Sequence, residues 1–204
     1  MNAILVSSID HGATPPSALA AITSASTGAP LNAALATGIL SINKYHGGAI
    51  EDAMRTFLHI GELAEDNDYD LSEAVERLLS DYRVENKRVM GFGHRIHTDD
   101  PRQKKLFALA KEAGLAGKYV QIAELVEHEL ENQIGKKLPI NVDGAIAALL
   151  CEMDFPPELA NAFFIMSRMP GLVAHIYEEQ TEHKPMRKIH PTDHDYDGPD
   201  ERHL

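Results

Sequence analysis

The chain has 204 residues, 44% hydrophobic and 25% charged, with a formal charge of −12; this suits one compact unit or two closely joined lobes and argues against disorder outside the ends. The negative balance argues against nucleic acid or an anionic membrane as the main partner, because phosphate binding needs clustered lysine and arginine. One cysteine, Cys151, rules out an internal disulfide, and its apolar neighbours at 145–150 predict an inert buried thiol in a reducing compartment.

From the amino end, Met1-Asn2-Ala3-Ile4-Leu5 lacks the basic flank of a signal peptide, and no stretch is read as reaching the roughly 20 apolar residues of a membrane span. The expectation is a soluble, cytoplasmic protein. Helical periodicity then dominates, first in Leu31, Leu35, Ile39 and Ile42, with His46 ending that helix and Gly47-Gly48 leading into the next. Leu71, Ala74, Val75, Leu78, Leu79 and Tyr82 repeat the pattern behind Asp70 and Glu73, a capping-box-like start. Lys87, Arg88, Arg95, Arg102, Lys104 and Lys105 then gather six of the 19 basic residues around the loop 91–95.

Asp100-Pro101 puts a capping carboxylate before proline at a first helical position, and Gly114 and Gly135 are expected helix stops. Asn141-Val142-Asp143-Gly144 opens an apolar helix. Pro156-Pro157-Glu158 opens another, which Met169-Pro170-Gly171 is expected to interrupt, leaving Arg168 at a helix end. The tail carries His183, His190, His194 and His203 at a spacing that matches no tight zinc pattern. With strand-like alternation nearly absent, an all-α chain of about nine or ten helices is predicted.

Chemistry concentrates where histidines stand beside glycine, at His11-Gly12, His46-Gly47-Gly48 and Gly93-His94, because glycine lets backbone turn and substrate approach where a β-carbon would block both. A neutral His46 near a helix amino end would be able to donate a hydrogen bond to a carbonyl becoming an enolate. Asp143 reads equally as a helix N-cap or as a proton acceptor. Arg95, Arg102 and Arg168 suit a carboxylate clamp, since the guanidinium fork matches a carboxylate bidentately. Gly91-Phe92-Gly93 is not a dinucleotide fingerprint, for no third glycine follows at position 96. Hydrolase elbow, Walker loop and zinc-helix motifs are also missing.

The ordered set His46-Gly47-Gly48-Ala49, Gly91-Phe92-Gly93-His94-Arg95, Asp100-Pro101-Arg102 and Asn141-Val142-Asp143 resembles the carboxyl-terminal half of citrate synthases. More closely, Ser8-Ile9-Asp10-His11-Gly12-Ala13-Thr14-Pro15-Pro16-Ser17 and the Asn-Val-Asp-Gly form resemble citryl-CoA lyases and the citrate-synthase-like module of ATP-citrate lyase. The resemblance implies an all-α, citrate synthase-like fold: a large dimerisation domain, shortened at its amino end, from residues 1–46 and 147–204, and an inserted small helical domain over 47–146. It also implies a homodimer or higher homo-oligomer whose lobes close over the substrates.

Roles follow from the same resemblance. Asp143 would exchange the proton of the acetyl methyl group, His46 would stabilise the enolate, and His94 would polarise the keto group of oxaloacetate or the citryl alkoxide. His11, Arg102 and Arg168 would hold the four-carbon acid, while Met90, Gly91, Phe92, Gly93, Arg95 and Asn141 would line the path of coenzyme A. Family members supply an arginine from the partner subunit near an Arg-Pro pair; Lys184-Pro185-Met186-Arg187 stands there, which makes Arg187 the candidate. No metal and no permanently bound cofactor is implied, coenzyme A thioester being a substrate.

Gly12 and Thr14-Pro15-Pro16-Ser17 replace the glutamate and Asn-Ala-Ser-Thr usual in citrate synthases, which favours reversible cleavage of citryl-CoA to acetyl-CoA and oxaloacetate. The alternatives are a citrate or methylcitrate synthase, and a non-catalytic coenzyme-A-binding assembly module.

Overall fold

The computed structural model describes residues 1–93, 100–190, 195 and 198. Among them the chain is all-α, and pairing of extended segments is limited to isolated bridges at Asn43–His46, Asn43–Gly47 and Phe92–Ile140. The helices are α1 (Asn2–Ser7), α2 (Pro16–Ser26), α3 (Leu31–Leu40), α4 (Ala49–Asn67), α5 (Leu71–Val84), α6 (Pro101–Glu112), α7 (Lys118–Ile134), α8 (Val142–Glu152) and α9 (Ala160–Glu182), with a 3-10 turn at Pro157–Leu159 before α9.

Local chemistry sets most of the boundaries. Asp70 accepts the Glu73 amide at 2.8 Å, but Glu73 turns outward to Arg77 at 2.8 Å, so only half of the expected capping box forms. Asp100 caps α6 by accepting the Arg102 amide at 3.0 Å, ahead of Pro101. Gly135 ends α7 in the left-handed region, where the lack of a side chain removes the strain. Helix α3 stops at Leu40, earlier than the apolar spacing suggests, so His46 lies in the turn before α4 and not at a helix end.

The expected break at Met169-Pro170-Gly171 does not occur: α9 runs through Pro170. Proline there loses one backbone hydrogen bond, and the burial of Phe163, Phe164, Leu172 and Ile176 on either side of it offsets that loss. By length and composition Pro157–Glu182 is also apolar enough to cross a membrane, contrary to the sequence reading. Its interior carries the buried Arg168 and Glu179 with their partners, which is the pattern of a helix in a protein core.

Contacts divide the chain into two units, Met1–Ser8 with Asn43–Arg168, and Ile9–Ile42 with the described residues from Met169 onward. In the first, α8 is buried at Val142 and throughout residues 144–151 and packs against α4, α6 and α7. Phe57, Met54 and Ile60 of α4 and Ile122 and Val126 of α7 complete that core. These contacts tie α8 to α4, α6 and α7, and the division by contacts runs on to Arg168; the lobes implied by the resemblance, 1–46 with 147–204 and 47–146, are a separate division.

In the second unit α2 packs on α3 through small residues, with Ala18, Ala21, Ile22, Ala25 and Ala34 closing on Leu172 and Ile176. A β-carbon on Gly38 would stand 3.0 Å from Ala21 Cβ and from Ser17 O, so the close approach of the helices needs glycine there.

Candidate active site

Residues 90–93 and the amino end of α8 are built against each other. Gly91 has φ +89°, and a β-carbon on it would stand 2.7 Å from the α-carbon of Gly144. One on Gly144 would strike the Gly91 carbonyl. Two glycines therefore let backbone touch backbone, a contact that any side chain would separate. Asn141 locks it: its backbone N–H donates to Gly91 O at 3.0 Å and its Nδ2 to Gly93 O at 2.9 Å. Its Oδ1 accepts from the amides of Asp143 (2.9 Å) and Gly144 (3.1 Å).

Asn141 is thus the N-cap of α8, and the capping role considered for Asp143 is not the one it plays. Asp143 falls in the first helical turn, and among the described residues its carboxylate accepts no hydrogen bond. Burial raises its pKa; Arg102 and Arg168 pull it down, while the Asp100 charge adds to the rise. A carboxyl so placed holds its proton to higher pH than an ordinary aspartate, which suits exchange with carbon.

Arg102 is gripped by Asp100. Its Nε donates to Oδ1 at 3.0 Å and its Nη2 to Oδ2 at 2.8 Å. Burial would raise the Asp100 pKa, but the bonds from the Arg102 side chain and amide, and from the Val142 amide at 3.0 Å, outweigh it and hold the pKa below the ordinary value. Arg168 lies inside α9, not at a helix end; it is buried, donates from Nε to Ser8 O at 2.9 Å, and places its guanidinium carbon 5.0 Å from the centroid of the Phe164 ring. The same ring meets His46 edge-on at 5.7 Å between centroids.

His46 is half-buried in a tight turn, where its backbone N–H donates to Asn43 O at 2.9 Å and its carbonyl accepts from Asn43 at 2.8 Å. Gly47, at φ +91°, then passes the chain to Gly48, the N-cap of α4. The first unit therefore joins His46, Phe164 and Arg168 in one run of contacts, and brings Arg168 and Arg102 within electrostatic reach of Asp143. His94 and Arg95 lie outside the described residues.

Met90, Phe92 and Gly93 are half-buried and Gly91 is buried. The Phe92 ring meets Phe57 edge-on at 6.1 Å. Beside it opens a cavity of about 630 Å³ lined by Leu79, Tyr82, Lys87, Arg88, Phe92 and Leu138 among others, within the size range of small-molecule sites. An apolar floor and a basic rim suit a ligand with a flat apolar part and negative charge.

The second unit holds the other two assigned residues. His11 is exposed, and the preceding Asp10 accepts the Gly12 amide at 3.0 Å and contacts His175 Nε2 at 2.9 Å. The bond to His175 is the largest cause of a lowered Asp10 pKa. Arg187 donates from Nε to both oxygens of Glu179, at 3.0 and 2.9 Å, and from Nη2 to Oε2 at 2.7 Å. Sequence reasoning missed Phe164, His175 and the clamp made by Asp100. Of these only Asp100 had a local signal, its place before Pro101 and Arg102. Among the described residues no group of three or more His, Cys, Asp or Glu is placed to hold a metal ion.

The fold and site define a class of helical proteins in which a half-buried aspartate follows an N-capping asparagine at one helix start and lies within electrostatic reach of two arginines. A family model described as citrate synthase, C-terminal domain, matches residues 1–192, and the chain belongs to that family. It is 43% identical to the citryl-CoA lyase from Hydrogenobacter thermophilus, whose structure matches with a TM-score of 0.83 over 100% of this chain and 77% of that one. The ATP citrate lyase from Methanothrix soehngenii, solved in complex with citrate and coenzyme A, is 27% identical with a TM-score of 0.76 over 98% of this chain and 34% of its own.

Among curated relatives, citrate synthase 2 of Bacillus subtilis is 33% identical over 161 residues, covering 77% of this chain and 39% of its own. ATP-citrate synthase beta chain protein 1 of Oryza sativa is 30% identical over 199 residues, covering 89% of this chain. The chain spans only 31% of the length of the rice protein.

Proposed function

We propose that this chain carries the site of a citryl-CoA lyase-type enzyme, which reversibly cleaves citryl-CoA to acetyl-CoA and oxaloacetate. The observation that carries the reading is Asp143, a half-buried carboxyl whose pKa is raised by desolvation against the pull of Arg102 and Arg168 and which accepts no hydrogen bond among the described residues. The extent of likeness to the lyase favours cleavage among the reactions of the family.

In cleavage His94 takes the proton of the citryl hydroxyl, and the bond between that carbon and the thioester methylene breaks. The oxygen becomes the keto group of oxaloacetate. The electron pair moves into the thioester as an enolate, which His46 stabilises and Asp143 protonates on carbon. Condensation runs the same steps backwards, with Asp143 as base. A raised pKa serves both directions, because the group must carry the proton for part of each cycle. Arg102, Arg168 and His11 hold the dicarboxylate product.

Coenzyme A would run along Met90, Gly91, Phe92, Gly93 and Arg95. Asn141 holds that loop in place, and the basic-rimmed cavity beside Phe92 takes the charged end. Closure of a small lobe, 47–146, on a large lobe, 1–46 with 147–204, would exclude water and hold enol and ketone in attack geometry, an effect worth roughly 7–11 kcal/mol in well-oriented systems. The reading includes a cytoplasmic homodimer, with Arg187 as the arginine nearest to serving a partner's site.

The test is citryl-CoA cleavage followed by release of acetyl-CoA and oxaloacetate. A folded protein that leaves citryl-CoA intact overturns the proposal. The likeness to citrate synthase 2 supports a second reading, a synthase that condenses acyl-CoA with oxaloacetate and hydrolyses the thioester. Net formation of free coenzyme A from acetyl-CoA and oxaloacetate identifies it.

A further inference from the structure

We propose that Asp100 is a positioning residue that couples the oxaloacetate-binding arginine to the helix bearing the base, by holding the Arg102 guanidinium and the first amide of α8 with one buried carboxylate. The inference rests on the proposed function for the roles of Arg102 and Asp143. Its geometry does not.

The Asp100 side chain is 0% exposed, against 26% for Arg102, so the acid is sealed beneath the arginine. Oδ1 accepts from Arg102 Nε and from the Arg102 amide. Oδ2 accepts from Arg102 Nη2 at 2.8 Å and from Val142 N at 3.0 Å. One oxygen is therefore shared by the substrate-side guanidinium and the residue next to Asp143. A buried carboxylate is tolerated only when its lone pairs are filled in this way.

Two consequences follow for the site. A guanidinium has five donors in a rigid fork, and Asp100 occupies its Nε and Nη2 side edge. The substrate carboxylate must then meet the end of the fork, at Nη1 and the outer Nη2 hydrogen, so Asp100 sets the direction from which oxaloacetate is held. At α8, the Val142 amide goes to Asp100, those of Asp143 and Gly144 go to Asn141 Oδ1, and that of Ala145 goes to the Asn141 carbonyl. The amide donors that would otherwise attract an anion to a helix start are all used inside the protein. Oxaloacetate is thereby directed to side chains, and the helix start is left rigid under Asp143.

The experiment is oxaloacetate titration and steady-state kinetics of wild type, Asp100→Asn, Asp100→Ala, Arg102→Ala and the double variant Asp100→Asn/Arg102→Ala. Asparagine keeps an oxygen for Val142 but cannot accept from both Nε and Nη2 of the guanidinium. Asp100→Asn is expected to weaken oxaloacetate binding and raise its KM by at least about tenfold, as loss of a charged hydrogen bond does, with the thioester KM changed less than twofold. In the Arg102→Ala background the same change is expected to do almost nothing, because coupled residues are non-additive.

Wild-type oxaloacetate affinity in Asp100→Asn, or an effect that persists without Arg102, overturns the inference. A wild type that neither binds oxaloacetate nor cleaves citryl-CoA overturns instead the reading on which it rests. Should the variants fail to fold, hydrogen exchange in the wild type decides: the Arg102 Nε–H and Val142 N–H must both be protected, and fast exchange at either overturns the coupling. Asp100→Ala, where it folds, must lose protection at both positions.

Discussion

Asp100-Pro101-Arg102 in the first unit and Asp10-His11-Gly12 in the second use the same device at different depths. In each, an aspartate precedes an assigned substrate-binding side chain and accepts a backbone amide two residues on, at 3.0 Å in both cases. Asp100 is sealed and its partner is an arginine, whereas the Asp10 side chain is 46% exposed and its partner is His175. Both pKa values are held low by partners. Asp143 has arginines nearby but no hydrogen-bond donor among the described residues, and burial drives its pKa the other way. Depth and pairing, not residue type, separate a clamp from a proton carrier.

The largest effect expected is on turnover. Asp143→Ala should slow citryl-CoA cleavage by about a hundredfold or more, the range of acid–base groups, with the helical circular dichroism unchanged. Full single-turnover activity in that variant would move the proton carrier elsewhere. Next, Arg102→Ala should raise the KM for oxaloacetate by about tenfold or more, from the loss of a charged hydrogen bond. His11→Ala, in the more exposed setting, should raise it less, and the reverse order would break the comparison between the two clamps.

Stability sharpens it further. A carboxyl whose pKa is raised on folding contributes stability below its unfolded value, near about 4, and that contribution is lost as pH rises through its folded value. Above its unfolded value, and so at pH 7, Asp143 therefore weighs against the fold. Asp143→Asn should raise the urea midpoint at pH 7, and a lower midpoint would contradict the assigned burial effect. Asp10 has the opposite sign. Its lowered pKa contributes stability above its unfolded value of about 4, lost as pH falls through its folded value. His175→Ala should therefore lower the urea midpoint more at pH 7 than at pH 3.

The smallest effect concerns Cys151. Burial pushes its thiol pKa up to about 12, so a thiol reagent at pH 8 should label native protein far more slowly than urea-unfolded protein.

Much of the fold was legible because its signals are local. The spacing of Leu71, Ala74, Val75, Leu78, Leu79 and Tyr82 gives α5, Asp100-Pro101 gives the start of α6, and Gly135 gives the end of α7. The motif residues of the site were legible by type and order, and Asp143, Arg102, Arg168 and His46 all fall in the first unit. Where reading failed, a distant contact had overruled a local rule. Pro170 marks a break by itself, yet α9 continues through it into the burial of Leu172 and Ile176. Asp143 is as good a cap as Asn141 by type, but the Gly91–Gly144 approach puts Asn141 where its amide serves both the loop and α8.

By itself, then, the amino-acid order determined a predominantly helical chain, several of its helix ends, and a set of imidazoles, guanidiniums and one carboxyl beside glycines or turns. Those follow from propensities and caps that act within a few residues. Only the tertiary structure decided which aspartate is clamped to an arginine and kept ionised and which has its pKa raised. Desolvation and the remaining pairing depend on groups distant along the chain, as when the Val142 amide meets Asp100 or Arg168 acts on Asp143.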